Sequence, residues 1–183
     1  MNSPEPILTL EPLLEAVREG LETEDWELSG LQKTTSYEFE GRWAGDSSRS
    51  AYLFFHREGV PDHVSIDVFL DETSRGLRGN LALVMDGPSL ARAPEPGVLL
   101  ARLSKVAKSI LPEGYRTPLS LRYRLPSLGK DPAQSDTEVR FKLYLPATAM
   151  DSGHGAVAEL SASTARAYQE ILDSGDLDFL LPP

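Results

Sequence analysis

The chain contains no cysteine and only three histidines among its 183 residues. The absence of cysteine excludes disulfides, thiolate nucleophiles and every zinc or iron–sulfur site that needs a cysteine ligand. The histidines, His56, His63 and His154, form no close pair in the sequence. His63 and Asp67 would share one face of a strand but lie about 13 Å apart along it, too far to bind one metal ion. We therefore predict no metal and no other cofactor.

Long apolar runs are also missing. No stretch approaches the roughly 20 apolar residues that span a bilayer, and the most apolar one, residues 98–111, is interrupted by Arg102, Lys105 and Lys108. The first six residues carry an acid and two prolines, whereas a secretory signal has a basic end followed by an apolar run. These features predict a cytoplasmic protein that makes no membrane contact.

Two common catalytic signatures do not occur. The segment 76–79 is too short for a phosphate-binding glycine loop and is not followed by a lysine and a hydroxyl residue. No serine has glycines two positions away on both sides, as a nucleophile elbow requires. We predict no catalytic residues. The alternative is a small-molecule enzyme with a scattered site that joins His56 or His63 to an acid such as Asp67.

The composition, 40% hydrophobic and 25% charged, predicts one globular domain over residues 1–183, with residues 1–8 flexible. The net charge of −10 is unevenly distributed. Residues 5–27 contain eight acids and the single base Arg18, whereas residues 102–142 contain nine bases and four acids. The first segment is therefore acidic and the later half locally basic.

Three segments show the apolar spacing of helices. In the first, Thr9 is placed to cap the amino end and Gly20 lies near the stop. The second ends at Pro112 and Gly114, and the third runs from about Ser161 to Ser174. The first two carry these apolar stripes: Leu10, Leu13, Leu14, Val17 and Leu21; Leu99, Leu103, Val106, Ala107 and Ile110.

Between the helices the chain alternates with the two-residue period of strands. Turns are predicted at 45–48 and 58–62, and a long mobile loop at 126–137. We predict an α+β domain in which the helices cover one face of an antiparallel sheet, in the order helix, three to five strands, helix, two strands, helix. The predicted strands are 26–31, one around Tyr37, Phe39 and Trp43, then 51–55, 64–70, 77–85, 119–125 and 139–145.

This element order, with the acidic charge and the size, resembles the fold of type III secretion chaperones and of the related YbjN-like bacterial proteins. The likeness runs from Leu10 to Ser174 and is carried by the two apolar stripes and by the strands around Phe39, Phe54, Val68, Leu121 and Phe141. It implies a small homodimer without enzymatic activity that binds extended segments of other proteins along hydrophobic patches. The strand near 81–85 and the long proline-rich connections depart from that pattern.

We accordingly predict a chaperone-like, protein-binding adaptor. Its candidate residues include four bases on the polar sides of the last two strands: Arg122, Arg124, Arg140 and Lys142. Like charges that face each other across a ladder are destabilising. We expect a compensating group, which could be Glu138 and its neighbours, the acidic first helix, a symmetry mate or an anionic ligand.

Two further surfaces are candidates for protein contact. Glu15 and Glu19 lie on the acidic face of the first helix, which would favour a basic partner segment. Phe179 and Leu180 make the carboxyl end apolar, so it should dock either in its own domain or in a partner's groove. Nucleic acid is a third hypothesis, but the overall acidity and the scarcity of aromatic residues beside the basic strands disfavour direct binding.

Overall fold

The computed structural model describes residues 4–36, 48–115, 117–125 and 137–181. The predicted strand around Tyr37, Phe39 and Trp43, most of the turn 45–48 and the loop 126–136 lie outside these ranges. The elements, in chain order, are α1 (Leu10–Thr23), β1 (Glu27–Ser36), β2 (Ser48–His56), β3 (Val64–Thr73), β4 (Gly76–Gly87), α2 (Pro96–Ile110), β5 (Leu119–Arg124), β6 (Thr137–Tyr144), α3 (Ala147–Asp151), α4 (His154–Ser174) and a terminal 3-10 helix, Asp178–Leu180.

The six strands form one antiparallel sheet in the order β1-β2-β3-β4-β6-β5. The four-strand meander β1 to β4 is local in sequence, and the β5-β6 hairpin joins it because β6 pairs with β4. This arrangement confirms the predicted α+β class, the antiparallel sheet and the order of helices and strands. Among the described helices, none is long and apolar enough to cross a membrane.

The two-residue period of β3 decides which side of the sheet is buried. Val64, Ile66, Val68 and Leu70 point toward the helices and are almost completely buried. Their partners on β4 continue the same apolar layer, since Ile66 faces Leu83 across the ladder. Burial of such side chains contributes about 1.5 to 3 kcal/mol each and is the main reason that the sheet holds its register.

Helix α1 is fixed to the sheet by an ionic contact that the sequence did not indicate. Thr9 was expected to cap α1, but its side chain makes no capping hydrogen bond. Instead Glu72 of β3 accepts the backbone N–H of Leu10 at 2.6 Å. Arg49 of β2 then donates to both Glu72 (2.8 Å) and Glu11 (2.6 Å). A carboxylate at a helix amino end also suits the helix dipole.

Helices α1 and α4 pack at very short range, and Gly20 makes this possible. A Cβ atom added to Gly20 would lie 2.2 Å from the carbonyl oxygen of Ala158 and 2.7 Å from Cβ of Ser161. Gly20 was expected near the stop of its helix, but α1 continues to Thr23 and buries this glycine. Its absent side chain therefore serves helix packing.

The last helix begins earlier than predicted. It starts at His154 rather than near Ser161, and a separate five-residue helix, α3, precedes it. Gly153 adopts a φ of 96°, which ends α3 and allows the chain to turn into α4. The first turn of α4 contains His154 and Gly155 but no large apolar residue before Val157. The apolar spacing that predicts a helix is therefore absent from this turn, and the sequence placed the start of the helix too late.

Tyr168 of α4 connects the helix layer to the centre of the sheet. Its side chain is fully buried, and its hydroxyl donates toward the carbonyl oxygens of Leu81 in β4 and Phe141 in β6. Burial raises the pKa of Tyr168, so the group stays a neutral donor. A buried phenol with satisfied hydrogen bonds holds α4 at one position over β4 and β6.

Both ends of the described chain are held by the domain. Residues 1–8 were predicted to be flexible, and the structure describes residues 4–8 of this segment. Ile7 is buried and its N–H donates to the carbonyl of Met150 at 2.9 Å, while Leu8 is 75% exposed. At the other end, Leu180 packs against Gly87 and is 1% exposed.

Candidate functional site

The helices that the structure describes all pack on one side of the sheet, and we call the opposite side the open face. Alternate residues of each strand point to this face, as the ladder register shows: Tyr52 pairs with Phe69, and Asp67 pairs with Ala82. On the two last strands of the sheet, Arg122 pairs with Arg140 and Ser120 with Lys142. The open face is thus assembled from both halves of the chain.

An aromatic cluster, formed by Tyr52, Phe54 and Phe69, lies on the β2 and β3 part of this face. The rings of Tyr52 and Phe69 have their centroids 4.9 Å apart at an angle of 42°. Tyr52 is 40% exposed and Phe54 37% exposed. Opposite Phe54, β1 carries Gly30, and a Cβ there would lie only 3.2 Å from the Phe54 ring. The ring therefore rests on bare backbone and keeps its other side accessible.

A shallow hollow of about 370 Å³ adjoins the aromatic cluster. One wall consists of aromatic rings and the other of charged and polar side chains from β3, β4 and β6. Its lining comprises Tyr52, Phe54, Asp67, Val68, Phe69, Asn80, Arg140 and Lys142. A surface with large rings beside bases has the composition that is enriched in the contact regions of protein interfaces.

The floor beside the hollow is crossed by an ion-pair network. Arg140 donates to Asp67 at 3.2 Å and to Glu138 at 2.7 Å, and the Ser65 hydroxyl donates to Asp67 at 2.8 Å. Burial raises the pKa of Asp67 above its ordinary value, against the opposing effects of the Ser65 hydroxyl and the Arg140 charge. Burial also raises the pKa of Asp86, with help from the charges of Glu138 and Asp67.

The four bases predicted to share one face of the sheet do so. Arg140 is neutralised by the acids just described, so the compensation expected from Glu138 is found for this one residue. Among the described residues, no carboxylate lies within 4.0 Å of Arg122, Arg124 or Lys142. The acidic first helix, one of the expected partners of these bases, packs on the other side of the sheet. A positive strip on β5 and β6 therefore faces outward.

The remaining predicted residues lie away from the open face. Glu15 and Glu19 are exposed on α1, and Glu19 pairs with His154 at the start of α4. Leu180 is inside the domain core, where a partner cannot reach it, and Phe179 is half-buried with its ring 6.4 Å from that of Tyr123. The described part of the carboxyl end thus packs against its own domain, one of the two outcomes expected.

The charge of His56 acts on Asp67 and opposes the rise in its pKa, so one of the histidines invoked for the scattered enzyme site lies near that acid. His56 shares a hydrogen bond of 2.8 Å with Ser29, and His63 has its Nε2 atom buried without a partner among the described residues. In the same part of the chain, no group of three histidine or acidic side chains could hold a metal ion. Asp67 instead bonds Ser65 and Arg140.

The chain matches no family model, no curated protein and no solved structure. Its function must be inferred from its own surface.

Sequence reasoning missed the aromatic cluster because each ring was assigned only to a strand. The available signal was the presence of large rings at the polar positions of alternating strands. Phe69 occupies the same alternate positions as Ser65 and Asp67, and Tyr52 lies between the core residues Ala51 and Leu53. An aromatic residue on the polar side of a strand has either a second layer to pack against or a partner to bind.

Proposed function

We propose that this protein is a non-enzymatic, chaperone-like adaptor that acts as a homodimer and binds another protein on the open face of its sheet. The observation that supports this most directly is the exposed aromatic cluster on the side opposite the described helices. Half-exposed tyrosine and phenylalanine side chains offer large contact areas with few rotatable bonds, so they lose little conformational entropy on binding.

The charges around the cluster would orient the partner. The network from Asp67 through Arg140 to Glu138 is internally balanced, so it can be covered with little electrostatic change. The positive strip of Arg122, Arg124 and Lys142 would attract acidic residues and increase the rate of encounter. The energy of binding would then come from the rings and the direction of approach from the strip.

Parallel affinity captures from the source cell with three baits would test the binding surface. One bait is the wild-type chain, one is Tyr52→Ser combined with Phe54→Ser, and one is a control with two other exposed apolar residues replaced, Leu8→Ser and Val98→Ser. We expect one protein to be retained by the wild type and the control and lost by the ring variant. Titration of that purified protein by calorimetry should give at least a tenfold weaker affinity for the ring variant, as loss of central aromatic contacts implies.

Light scattering on a sizing column at low micromolar concentration would test the dimer. The expected mass is twice the 20.1 kDa of the chain. A single monomeric peak would contradict the proposed homodimer. Equal capture of the partner by all three baits would show that the open face is not the binding surface.

A second function is favoured by one specific observation. Aromatic residues were predicted to be scarce beside the basic strands, but the fold brings Tyr52, Phe54 and Phe69 onto the same face. Rings beside a basic strip can stack the bases of a single-stranded nucleic acid. Fluorescence anisotropy with a labelled oligo-dT of about 20 nucleotides would decide: binding that weakens steeply with salt and requires Tyr52 supports this alternative. No binding at low salt would leave protein as the ligand.

A further inference from the structure

Strand β5 forms one edge of the sheet, and within the described sheet it pairs on one side only, with β6. No other described strand pairs with the outer backbone N–H and C=O groups of Leu119–Arg124. The opposite edge, β1, has a register shift between Leu28 and Gly30, which disturbs the regular spacing of its hydrogen-bonding groups. Bulges of this kind protect an edge from further pairing. The ladder of β5 with β6 has no such shift.

The two sides of β5 differ in chemistry. Arg122 and Arg124 project onto the open face, whereas Leu121 and Tyr123 point toward the helices. An added strand would have the same alternation, with every second side chain next to an arginine. Opposite charges at facing positions of a ladder are favourable, and like charges are not.

A partly apolar hollow of about 510 Å³ lies on the helix side, where α2 ends and β5 begins. Leu111, Tyr115, Pro118 and Leu119 form its apolar walls, and the charged residues Lys108 and Glu113 also line it. An apolar side chain of an added strand, pointing away from the arginines, would reach this side of the edge. The hollow and the arginines thus favour one pattern: acidic residues at alternate positions and apolar residues between them.

We infer that the β5 edge accepts an extended acidic segment of another protein as a seventh strand. This inference rests on the proposed protein-binding function and names the class of partner: a segment in which Asp or Glu alternates with Val, Ile or Leu. Backbone hydrogen bonds give such added strands their affinity, and the alternating side chains give them specificity. A second copy of this chain fits less well, because pairing two β5 strands gathers four arginines on one face of a short ladder.

The test uses the full chain and three synthetic peptides of eight residues. The first alternates valine and glutamate, the second alternates valine and lysine, and the third repeats the first with alternate backbone nitrogens methylated. Methylation removes hydrogen-bond donors and keeps every charge. We expect the glutamate peptide alone to bind, and amide shifts in NMR spectra should concentrate in β5 and at the end of α2.

Charge reversal supplies the matched variants. Arg122→Glu combined with Arg124→Glu should weaken the glutamate peptide at least tenfold and confer binding of the lysine peptide. Arg75→Glu, which reverses an exposed arginine in the turn between β3 and β4, should leave both results unchanged.

Four outcomes would overturn the inference. Equal binding of the methylated peptide would show that charge alone acts, and shifts confined to other strands would place the site elsewhere. A wild-type dimer that the glutamate peptide splits into monomers would assign the edge to a second copy. Loss of a captured partner on mutation of Tyr52 and Phe54, without peptide binding at β5, would retain the proposed function and reject this edge.

Discussion

Replacing Gly20 with alanine tests the close approach of α1 and α4. The new methyl group would lie 2.2 Å from the carbonyl oxygen of Ala158, which belongs to the backbone and cannot rotate away. Ordinary close contacts between carbon and a carbonyl oxygen lie at about 3.3 Å or more, so the helices would have to separate by roughly 1 Å. The substitution therefore strains the fold although alanine is the better helix former.

The two effects have opposite signs, and their sizes decide the outcome. Alanine in place of glycine inside a helix gains about 1 kcal/mol of helix propensity. Overpacking typically costs about 1 to 3 kcal/mol, and more when backbone must move. Separation of the helices would also weaken dispersion contacts of the buried Leu13 and Val17. Because backbone must move, the overpacking cost lies near the upper end, about 3 kcal/mol, so the net loss of unfolding free energy for Gly20→Ala should be about 2 kcal/mol.

Urea denaturation followed by circular dichroism would measure this loss. For a domain of this size, a loss of about 2 kcal/mol corresponds to a melting temperature lower by about 4 to 8 °C. Gly155→Ala is the matched control, because its added Cβ would meet nothing within 4 Å; it should be neutral or up to about 1 kcal/mol more stable. Ser161→Gly should restore part of the stability of Gly20→Ala. A Gly20→Ala protein as stable as the wild type would refute the close packing of α1 on α4.

Three other substitutions give distinct results in the same assay. Tyr168→Phe should cost about 1 to 2 kcal/mol, because two buried carbonyls lose a donor. Glu72→Ala should cost about 1 kcal/mol at neutral pH through the lost helix cap; since Arg49 lowers the pKa of Glu72, this stability is present above the unfolded pKa, and the loss should shrink as the pH falls through the folded pKa. The pH dependence at Asp67 has the opposite sign, because the raised pKa of this carboxyl means that the folded state binds the proton more tightly than the unfolded state does. The wild type therefore loses stability as Asp67 ionises. The stability of Asp67→Asn relative to the wild type should rise as the pH goes from below about 4 to about 7. A relative stability of Asp67→Asn that does not change with pH would contradict the burial of this carboxylate.

Periodicity was sufficient to predict most of the fold. The alternation in β3 and the apolar stripe of α2 each depend on a short, local pattern of residues that must face one core. The expected strand 64–70 and the expected helix between Leu99 and Ile110 therefore lie within β3 and α2 as observed. Such a pattern predicts the buried face of a strand because a shift of one residue would expose all of its apolar side chains.

Contacts between distant residues could not be read in this way. The Glu72 cap on Leu10 and the ion pair of Asp67 with Arg140 join positions 62 and 73 residues apart. The second of these requires that β4 lie between β3 and β6, which no local pattern specifies. Gly20 illustrates a different limit, since a glycine near a helix end suggests a stop and gives no sign of a neighbouring helix.

The candidate site was predicted in part. The sequence placed the four bases on one face correctly, because alternation fixes the side of a strand to which each residue points. It gave no indication that the rings of β2 and β3 would join that face, since this depends on how the meander pairs with the hairpin.

The late position of α4 in the chain has a consequence for folding during synthesis. The four-strand meander is complete once residue 87 has been synthesised, but α4, which packs on its last strand β4, extends to residue 174. During translation, about half of the chain is added after the meander before α4 can cover its part of the apolar side. Such partly covered sheets are prone to associate with other unfolded chains. The meander is therefore most exposed to such association after residue 87 has been made and before residues 154–174 have been added.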